Sequence, residues 1–188
     1  MERKFDLIGK LGGAFVASGI LANQFIFVVD GGERALKMSA LRGLQTNVYG
    51  EGMHLRLPFI DQIIRFEIRS QPTLLHSTTG TRDMQQVNIS MRLLFRPIEA
   101  NLPVILQNIG NNYDERILPS IGNEVLKSTV AQYNAEQLIS QREKVSKEIR
   151  VLLEKRALEY NIILDDVSIT DLQFSQEFTA SIESKQVA

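Results

Sequence analysis

The hydrophobic positions of this chain recur at two different intervals. Over residues 25–97 they alternate with polar positions, as in half-buried strands, and later they recur about every 3.6 residues, as in amphipathic helices. The longest alternation places five apolar side chains on one face of a strand: Val87, Ile89, Met91, Leu93 and Phe95. The pattern predicts an α+β fold in which an antiparallel or mixed sheet packs against helices.

Turn signals divide the alternating region into short strands. The run FIFVVD at 25–30 predicts a strand, and the turn residues at 30–32 predict that RALKMS at 34–39 returns as the second strand of a hairpin. The next short strand ends at Pro58 and has three apolar residues on one side: Met53, Leu55 and Leu57. Alternation at 64–69 predicts a further half-buried strand.

Helices dominate the second half of the chain. The run EANLPVILQNIG predicts a short helix closed by its final glycine, and a longer helix is predicted over 113–133. Asn134 and Gln137 resemble a capping box that opens a helix over 135–160. The run IILDDVSITDLQF then returns to a strand, and Ser175 is the predicted cap of a final helix.

The helix predicted over 135–160 has an apolar stripe opposite a densely charged face. Its inward positions at heptad-like spacing are Leu138, Val145, Ile149 and Leu152. Opposite charges four residues apart on the other face each contribute only about 0.2–0.5 kcal/mol. A solvated surface is therefore one interpretation of this face, and pairing between subunits is the other. Under the second interpretation the candidate subunit-assembly residues are Glu143, Lys147, Arg150 and Glu154.

The first thirty residues contain an apolar segment close to the length of a membrane span. No charged residue occurs over 11–29, and about 20 apolar residues cross a bilayer core of ~30 Å. Asn23 and Gln24 interrupt the segment, which predicts a membrane helix over 5–22 followed by the first strand. A flexible leader is the alternative. The predicted anchor residues are Leu7, Ile8, Leu11, Phe15, Val16, Ile20 and Leu21.

Small residues and flanking charges refine the prediction of an anchor. Gly9, Gly13 and Ala17 recur at every fourth position, which lets a second helix approach closely in lipid. The firmest apolar part, residues 11–22, is about 18 Å long as a helix, so both a full span and insertion into one leaflet stay open. Basic residues precede the segment and acidic residues follow it, so the rest of the chain is expected across the membrane from the N-terminus.

Composition narrows the classes of function. The 188 residues are 44% hydrophobic and carry a formal net charge of −1, with no block of like charge, so the electrostatic footprint of a nucleic-acid-binding protein is missing. The chain has no cysteine, which excludes disulfides, thiolate metal sites and cysteine nucleophiles. We therefore expect one folded domain of ordinary size, with no nucleic-acid partner.

A search for catalytic chemistry finds no candidate. Neither His54 nor His76 has a second metal ligand at helical spacing, so no metal site is expected. No glycine-rich phosphate loop or G-x-S-x-G elbow occurs. Asp165 and Asp166 are adjacent, so on a strand they point to opposite faces and cannot share a proton. The sequence predicts a protein that is not an enzyme and has no cofactor.

Several motifs together resemble one family. The runs GEGMHLRLPF, TGTRDMQQVNIS, LFRP, YDERILPSIGNEVLKS, QLISQRE, ILDDVSIT and ESKQVA follow one another in the order found in prohibitins, members of the stomatin–prohibitin–flotillin superfamily. The resemblance covers about residues 26–188, and LFRP favours the first of the two prohibitin subunit types. An uncleaved apolar N-terminus is also similar to that family.

The resemblance implies a function and a location. It implies an SPFH (band 7) domain that faces the intermembrane space from the mitochondrial inner membrane, followed by a long coiled coil. It also implies a ring of two alternating subunit types that organises inner-membrane lipids and proteins, acts as a holdase chaperone and associates with a membrane-bound AAA protease. No catalytic residues come with the family.

The expected organisation follows from the motifs and the resemblance together. Residues 1–24 are expected to be the membrane anchor, 25–174 the SPFH domain and 175–188 the start of the coiled-coil helix. Phe178 and Ile182 supply only one repeat of that seam, so the chain looks truncated before the coiled coil. The alternative function is a stomatin-like peripheral module that docks a membrane protease in a groove between sheet and helices.

Overall fold

A computed structural model describes residues 24–174 of the chain. These residues belong to two compact units, which divide between Ile68 and Arg69 and are called unit 1 and unit 2 below. The helices predicted over 5–22 and after Ser175 lie outside the described residues. Within the described part of the chain, no helix combines the length and the apolar character needed to cross a membrane.

The described residues of unit 1 form five strands in two small antiparallel sheets. A two-stranded ribbon pairs β1 with β4, and a three-stranded sheet has the order β3-β2-β5. The strands are β1 (Ile26–Val29), β2 (Glu33–Ser39), β3 (Gly43–Tyr49), β4 (Gly52–Leu55) and β5 (Asp61–Glu67). The expected fold class is α+β, and the elements described for its first unit are all strands.

The predicted hairpin between β1 and β2 is wrong. The turn itself forms, because the Glu33 N–H donates to the Asp30 carbonyl at 3.1 Å. The two strands nevertheless enter different sheets: all four β1 residues pair with β4, whereas β2 pairs with β5 along its whole length. Turn residues specify the local reversal of the chain, but the pairing partner of each strand also depends on which of its faces the folded unit buries.

Two strands were missed because their buried faces are not hydrophobic. Strand β3 has no residue that is fully buried, so it shows no alternation of apolar side chains. Strand β6 (Gln71–Gly80) does alternate, but its buried face ends in the small hydroxyl residues Ser77 and Thr79. Hydrophobic periodicity detects burial only where the buried residues are apolar.

The core of unit 1 joins a small apolar cluster to a buried ion pair. Phe27, Val29 and Ala35 are buried together, and the rings of Phe27 and Tyr49 meet edge to face at 5.9 Å. The Lys37 Nζ lies 2.7 Å from Asp61 Oδ2 between β2 and β5, and both side chains are largely buried. The Asp61 carboxylate also accepts the Leu57 N–H at 2.8 Å, so it ties the β4–β5 loop to the sheet.

Acidification is expected to destabilise unit 1 through Asp61. The hydrogen bond from Lys37, followed by that from the Leu57 N–H, holds the pKa of Asp61 below its ordinary value. Because the folded-state pKa is depressed, the stabilisation is complete above the unfolded-state pKa and is lost as the pH falls through the folded-state pKa, below about pH 4. Amide exchange in β2 and β5, corrected for intrinsic rates, should accelerate in that window.

The control for this pH dependence is Asp61→Asn, which removes the titrating group. We expect β2 and β5 of this variant to exchange faster than wild type at neutral pH and to change less on acidification. Equal acceleration of the two proteins below about pH 4 would show that other carboxylates control the transition.

Between residues 69 and 174, unit 2 packs four helices on an antiparallel sheet of order β6-β7-β8. Its strands are β6, β7 (Gln86–Pro97) and β8 (Ile162–Phe174). A short 3₁₀ turn, Glu99–Asn101, precedes the helices. The helices are α1 (Leu102–Asn108), α2 (Tyr113–Val130), α3 (Ala135–Ser140) and α4 (Arg142–Glu159).

The core of unit 2 follows the apolar face predicted for β7. The side chains of Val87, Ile89, Met91, Leu93 and Phe95 are all buried, which confirms that prediction. The helices add their own buried residues, which are Leu102, Ile105, Leu118, Leu126, Leu138, Ile149 and Leu153. Gly110 has a φ of 105° after α1, a conformation that favours glycine and ends that helix.

The helix predicted over 135–160 is divided, and its inward register is partly wrong. Gln141 separates α3 from α4 with a φ of −114° and a ψ of 30°, which are not helical values. The predicted cap is confirmed, because the Asn134 N–H donates to Gln137 Oε1 at 3.1 Å. Leu152 is 37% exposed, whereas Leu153 is fully buried, because α4 follows a 3.6-residue period from Ile149 rather than a heptad.

Candidate membrane and assembly surfaces

The ribbon of β1 and β4 is apolar on both faces. Its inner face carries Phe27 and Val29, which are buried in the core of unit 1. Its outer face pairs Val28 with Met53 and Ile26 with Leu55 across the two strands. Met53 is 71% exposed and Leu55 74% exposed, and Val28 is exposed as well. We call Ile26, Val28, Met53 and Leu55 the outer ribbon face.

Met53 and Leu55 therefore lie on one side of β4 as predicted, but that side faces outward. The strand ends at Leu55, so the predicted position of Leu57 on the same strand is wrong. Only one face of this two-stranded ribbon packs against the core, and that face carries Phe27 and Val29. On the opposite face, the exposed side chains of Val28, Met53 and Leu55 form an apolar patch with the half-buried Ile26. Such patches mark contacts with proteins or membranes more often than scattered single residues do.

Phe59 lies beyond the end of β4 in a tight turn and is 98% exposed. Its φ of 69° is in the left-handed region, which costs a residue other than glycine about 1–3 kcal/mol. The turn is held by Asp61, whose N–H donates to the Leu57 carbonyl at 3.0 Å while its carboxylate accepts the Leu57 N–H. The strained turn thus exposes the large apolar side chain of Phe59 on the surface of unit 1.

The two histidines have structural partners. His54 Nε2 lies 2.7 Å from the Gly50 carbonyl oxygen, and the ring centroid lies 5.3 Å from those of Phe27 and Tyr49. His76 Nδ1 lies 2.9 Å from Ser90 Oγ on the neighbouring strand. Within residues 24–174, no group of three or more histidine or carboxylate side chains is arranged to hold a metal ion.

The adjacent carboxylates of β8 have separate partners. Asp165 accepts hydrogen bonds from Ser70 and from Arg96 Nε, and these hydrogen bonds, that from Ser70 first, lower the pKa of Asp165. Asp166 instead lies 3.5 Å from Arg150. This arrangement agrees with the prediction that the two carboxylates do not share a proton.

The four candidate assembly residues lie together along α4. Glu143, Lys147, Arg150 and Glu154 line one groove beside β8, with a volume of about 720 Å³. Val151 and Val167 contribute apolar surface to the same groove. The structure thus brings the predicted residues onto one continuous surface, which we call the α4 groove.

Two arginines of α4 fix the helix along the free edge of β8. Arg142 Nη2 donates to the Ile169 carbonyl at 3.2 Å, and Arg150 Nη2 donates to the Asp165 carbonyl at 3.5 Å. The two arginines are eight positions apart on the helix, which corresponds to about 12 Å, and the two carbonyls are four positions apart on the strand, which corresponds to about 13 Å. The spacing of the donors therefore matches the spacing of the acceptors. These hydrogen bonds engage two backbone carbonyls of β8, which is an edge strand of the sheet among the described residues.

Bulges interrupt the same edge. The register between β7 and β8 shifts twice, which leaves Asp165 and Thr170 as the extra residues of β8. Bulges twist a strand and disturb the regular row of donors and acceptors that a further strand would need. The α4 groove is therefore better suited to side-chain contacts than to the addition of a strand.

The charges of the α4 groove are only partly neutralised within the chain. Arg150 Nε donates to Glu154 Oε1 at 2.8 Å, and this hydrogen bond raises the pKa of Arg150. Glu143 and Lys147 form no ion pair with any residue in the described part of the chain. Arg142 lines the same groove and donates to a backbone carbonyl rather than to a carboxylate. A second molecule would thus find charges of both signs in the groove that form no ion pair among the described residues.

The remaining candidate residues lie outside residues 24–174, and their roles stay predictions. They comprise the anchor positions, the small-residue positions and the two positions of the C-terminal seam. These are Leu7, Ile8, Gly9, Leu11, Gly13, Phe15, Val16, Ala17, Ile20, Leu21, Phe178 and Ile182.

Comparisons with known proteins give a consistent result. The SPFH domain / Band 7 family matches residues 27–188. Prohibitin-2 of Schizosaccharomyces pombe is 52% identical over 171 residues, which cover 91% of this chain and 59% of that protein. Prohibitin-1, mitochondrial, of Arabidopsis thaliana is 52% identical over 167 residues, which cover 89% and 58%. Prohibitin 1 of Gallus gallus is 47% identical over 184 residues, which cover 98% and 68%.

These matches cover only part of each relative, which limits the properties of the relatives that can be assigned to this chain. The chain spans less than two thirds of the length of the Schizosaccharomyces pombe and Arabidopsis thaliana relatives. Those two relatives, a Prohibitin-2 and a Prohibitin-1, are equally similar to it at 52% identity. The preference for the first subunit type therefore stays a prediction.

Proposed function

Because the chain belongs to the SPFH domain / Band 7 family and, within it, to the prohibitins, we propose that it is a non-enzymatic scaffold subunit of a membrane-attached assembly. Its similarity to the prohibitins confirms the resemblance expected from the sequence motifs. The outer ribbon face is the observation that carries the proposal, because it exposes Val28, Met53 and Leu55 beside the half-buried Ile26, and β1 follows the segment predicted as an anchor in the sequence.

Membrane contact accounts for the outer ribbon face. Burying apolar surface contributes about 25 cal/mol per Å². Transfer of the exposed Met53 and Leu55 side chains from water into the interfacial layer of a bilayer is therefore favourable in free energy. Phe59 is a further exposed apolar side chain on unit 1. In this proposal residues 5–22 anchor the chain, and the ribbon rests on the membrane beside them.

The finer details of the function are proposals based on the family. Three relatives carry the word mitochondrial in their names. We place the chain in the mitochondrial inner membrane, with residues 25–174 facing the intermembrane space. It would alternate there with a second prohibitin subunit type in a ring that organises inner-membrane lipids and proteins, holds membrane proteins as a chaperone and associates with a membrane-bound AAA protease.

A second candidate function is favoured by the α4 groove. The groove lies between a helix and the sheet and leaves Glu143 and Lys147 available to a partner. This geometry suits a peripheral, stomatin-like module that docks a membrane protease. Such a module would not require the outer ribbon face to touch lipid, so the two candidates can be distinguished by experiment.

Position 53 of the full chain in liposomes is expected to lie in lipid. The chain has no cysteine, so Met53→Cys gives a single site for an environment-sensitive fluorophore. We expect a blue-shifted emission that lipid-attached nitroxides quench. Leu74→Cys is the matched control, because Leu74 is an exposed leucine on β6 of unit 2. A water-like spectrum at position 53, equal to that at position 74, would contradict membrane contact and favour the peripheral module.

A further inference from the structure

Two loops meet at one end of the three-stranded sheet in unit 1. The β2–β3 turn spans residues 40–42, and the β4–β5 loop spans residues 56–60. A hydrogen bond joins the two loops, because the Ala40 N–H donates to the Ile60 carbonyl at 2.9 Å. A cleft of about 550 Å³ lies at this junction, and we call it the loop cleft. Residues from both loops and from the adjoining strands line it, among them Ala40, Gly43, Arg56, Phe59, Ile60 and Asp61.

Each of the two loops carries one exposed, large apolar side chain and one arginine. In the β2–β3 turn, Leu41 is 81% exposed, and the exposed Arg42 follows it directly. In the β4–β5 loop, Phe59 is almost completely exposed, and the half-buried Arg56 lines the loop cleft. Apolar side chains flanked by basic ones are typical of protein surfaces that lie in the interfacial layer of a bilayer.

The surface charge of the loop cleft is basic. Asp61 is the one carboxylate among the residues of the two loops and of the cleft lining. Its side chain is buried and lies 2.7 Å from Lys37 Nζ, so its charge is already neutralised. Within residues 24–174, neither Arg42 nor Arg56 forms an ion pair with a carboxylate. An anion that enters the loop cleft would therefore meet two arginines and no exposed acidic group.

Arg56 is fixed close to the segment predicted as the membrane anchor. Its backbone N–H donates to the Phe25 carbonyl at 2.8 Å, and its Nε–H donates to the Gln24 carbonyl at 3.1 Å. The predicted anchor ends at residue 22, so the chain between that residue and Gln24 spans at most about 7 Å. If the anchor enters the bilayer, Arg56 is thus held near the level of the lipid headgroups. Its Nη groups form no hydrogen bond with a described residue and are available to a ligand.

We propose that the loop cleft binds the headgroup phosphate of an anionic phospholipid. Arg42 and Arg56 donate to the phosphate, and Leu41 and Phe59 enter the apolar layer beside it. A guanidinium suits this role because its planar N–H donors match the geometry of phosphate oxygens. The inference rests on the proposed membrane attachment and names the class of lipid that the attached unit selects.

The same arrangement predicts selection by charge. The headgroup of phosphatidylcholine carries a cation beside its phosphate, and the cleft has no exposed carboxylate to pair with that cation. Phosphatidylglycerol has a net negative charge and satisfies both arginines. Near an anionic lipid surface, each arginine should raise the preference for anionic lipid by about fivefold.

Quenching of a single tryptophan tests this selection. The chain has no tryptophan, so Phe59→Trp supplies one reporter and keeps an aromatic side chain. The full chain is reconstituted in liposomes of equal amounts of phosphatidylcholine and phosphatidylglycerol, and one lipid at a time has brominated acyl chains, which quench tryptophan on contact. We expect brominated phosphatidylglycerol to quench more strongly, with an enrichment of about fivefold or more. Equal quenching by the two lipids, or quenching by neither, overturns the inference.

Substitution of the arginines assigns the selection to the loop cleft. In the reporter background, Arg42→Gln should lower the preference for phosphatidylglycerol by about fivefold, whereas Arg42→Lys, which keeps the charge, should retain most of it. Arg92→Gln is the matched control, because Arg92 is an exposed arginine of β7 without an ion pair among residues 24–174. Equal losses for Arg42→Gln and Arg92→Gln would mean that the net charge of the chain selects the lipid, and would contradict the cleft.

Arg56→Gln should lower the preference as Arg42→Gln does. It also removes the hydrogen bond from Nε to the Gln24 carbonyl, so its thermal unfolding is measured alongside. If Arg56→Gln unfolds at a lower temperature than wild type, the decision rests on Arg42→Gln, because Arg42 has no hydrogen-bond partner among the described residues. Unchanged lipid preference in Arg42→Gln would overturn the inference.

A tryptophan at position 53 separates this inference from the proposed function. The outer ribbon face is apolar, so in Met53→Trp both brominated lipids should quench to a similar extent. Quenching at position 53 without a headgroup preference at position 59 overturns the inference and leaves membrane contact standing. Absence of quenching at position 53 contradicts contact of the outer ribbon face with lipid, whatever the result at position 59.

Discussion

Replacing Leu153 with alanine is expected to lower the free energy of unfolding of unit 2 by about 2–5 kcal/mol, the range for a leucine whose loss leaves a cavity in a packed core. Leu153 is fully buried on the inner face of α4. Its neighbour Leu152 is 37% exposed, so Leu152→Ala removes the same atoms from a site open to water. We expect a loss of about 1 kcal/mol or less for that variant.

Urea unfolding followed by far-ultraviolet circular dichroism measures the difference between the two variants. The comparison is well matched, since both substitutions improve helix propensity to the same extent and both lie in the interior of α4. Equal losses at positions 152 and 153 would mean that α4 does not pack in the described register. A larger loss at position 152 would restore the heptad-like register expected from the sequence.

The register of α4 shows what the sequence pattern could specify. Leu138, Val145 and Ile149 were predicted to face inward, and all three are buried. The fourth position failed because two leucines are adjacent, so the pattern alone fits either a spacing of three from Ile149 or a spacing of four. Packing against the sheet selects Leu153, and the break at Gln141 separates Leu138 from the helix that carries the other three.

Strand pairing was less predictable than strand location. The strand signals of β1, β2, β4, β5, β7 and β8 were all visible in the sequence, yet β1 was assigned to the wrong neighbour. Pairing depends on which face of each strand is buried, and burial is a property of the whole unit. β6 was missed because Ser77 and Thr79 take inward positions that hydrophobicity does not mark.

The candidate surfaces, too, were predictable from the sequence only in part. Spacing alone put Glu143, Lys147, Arg150 and Glu154 on one helical face, and the structure places all four in the α4 groove. The sequence could not reveal that Arg150 also bonds to β8, because residues 150 and 165 meet only through the tertiary fold.

Gly122 is a further position that depends on tertiary contact. It is a buried glycine within α2, and a Cβ at this position would overlap with Leu75 Cδ2 of β6. Alanine gains about 1 kcal/mol over glycine in helix propensity. Overpacking a core costs about 1–3 kcal/mol. Because Leu75 is itself buried and has little room to turn, we expect the overlap to dominate, so that Gly122→Ala lowers the free energy of unfolding of unit 2 by about 1–2 kcal/mol.

A double-mutant cycle isolates the cause of that loss. Leu75→Ala alone should cost about 2–5 kcal/mol, since it opens a cavity in the core. In that background the overlap is gone, so Gly122→Ala should stabilise unit 2 by up to about 1 kcal/mol through helix propensity and by filling part of the space. The sign of the Gly122→Ala effect therefore reverses with the residue at position 75. A loss of the same size in both backgrounds would mean that the close approach of α2 to β6 is not what requires glycine.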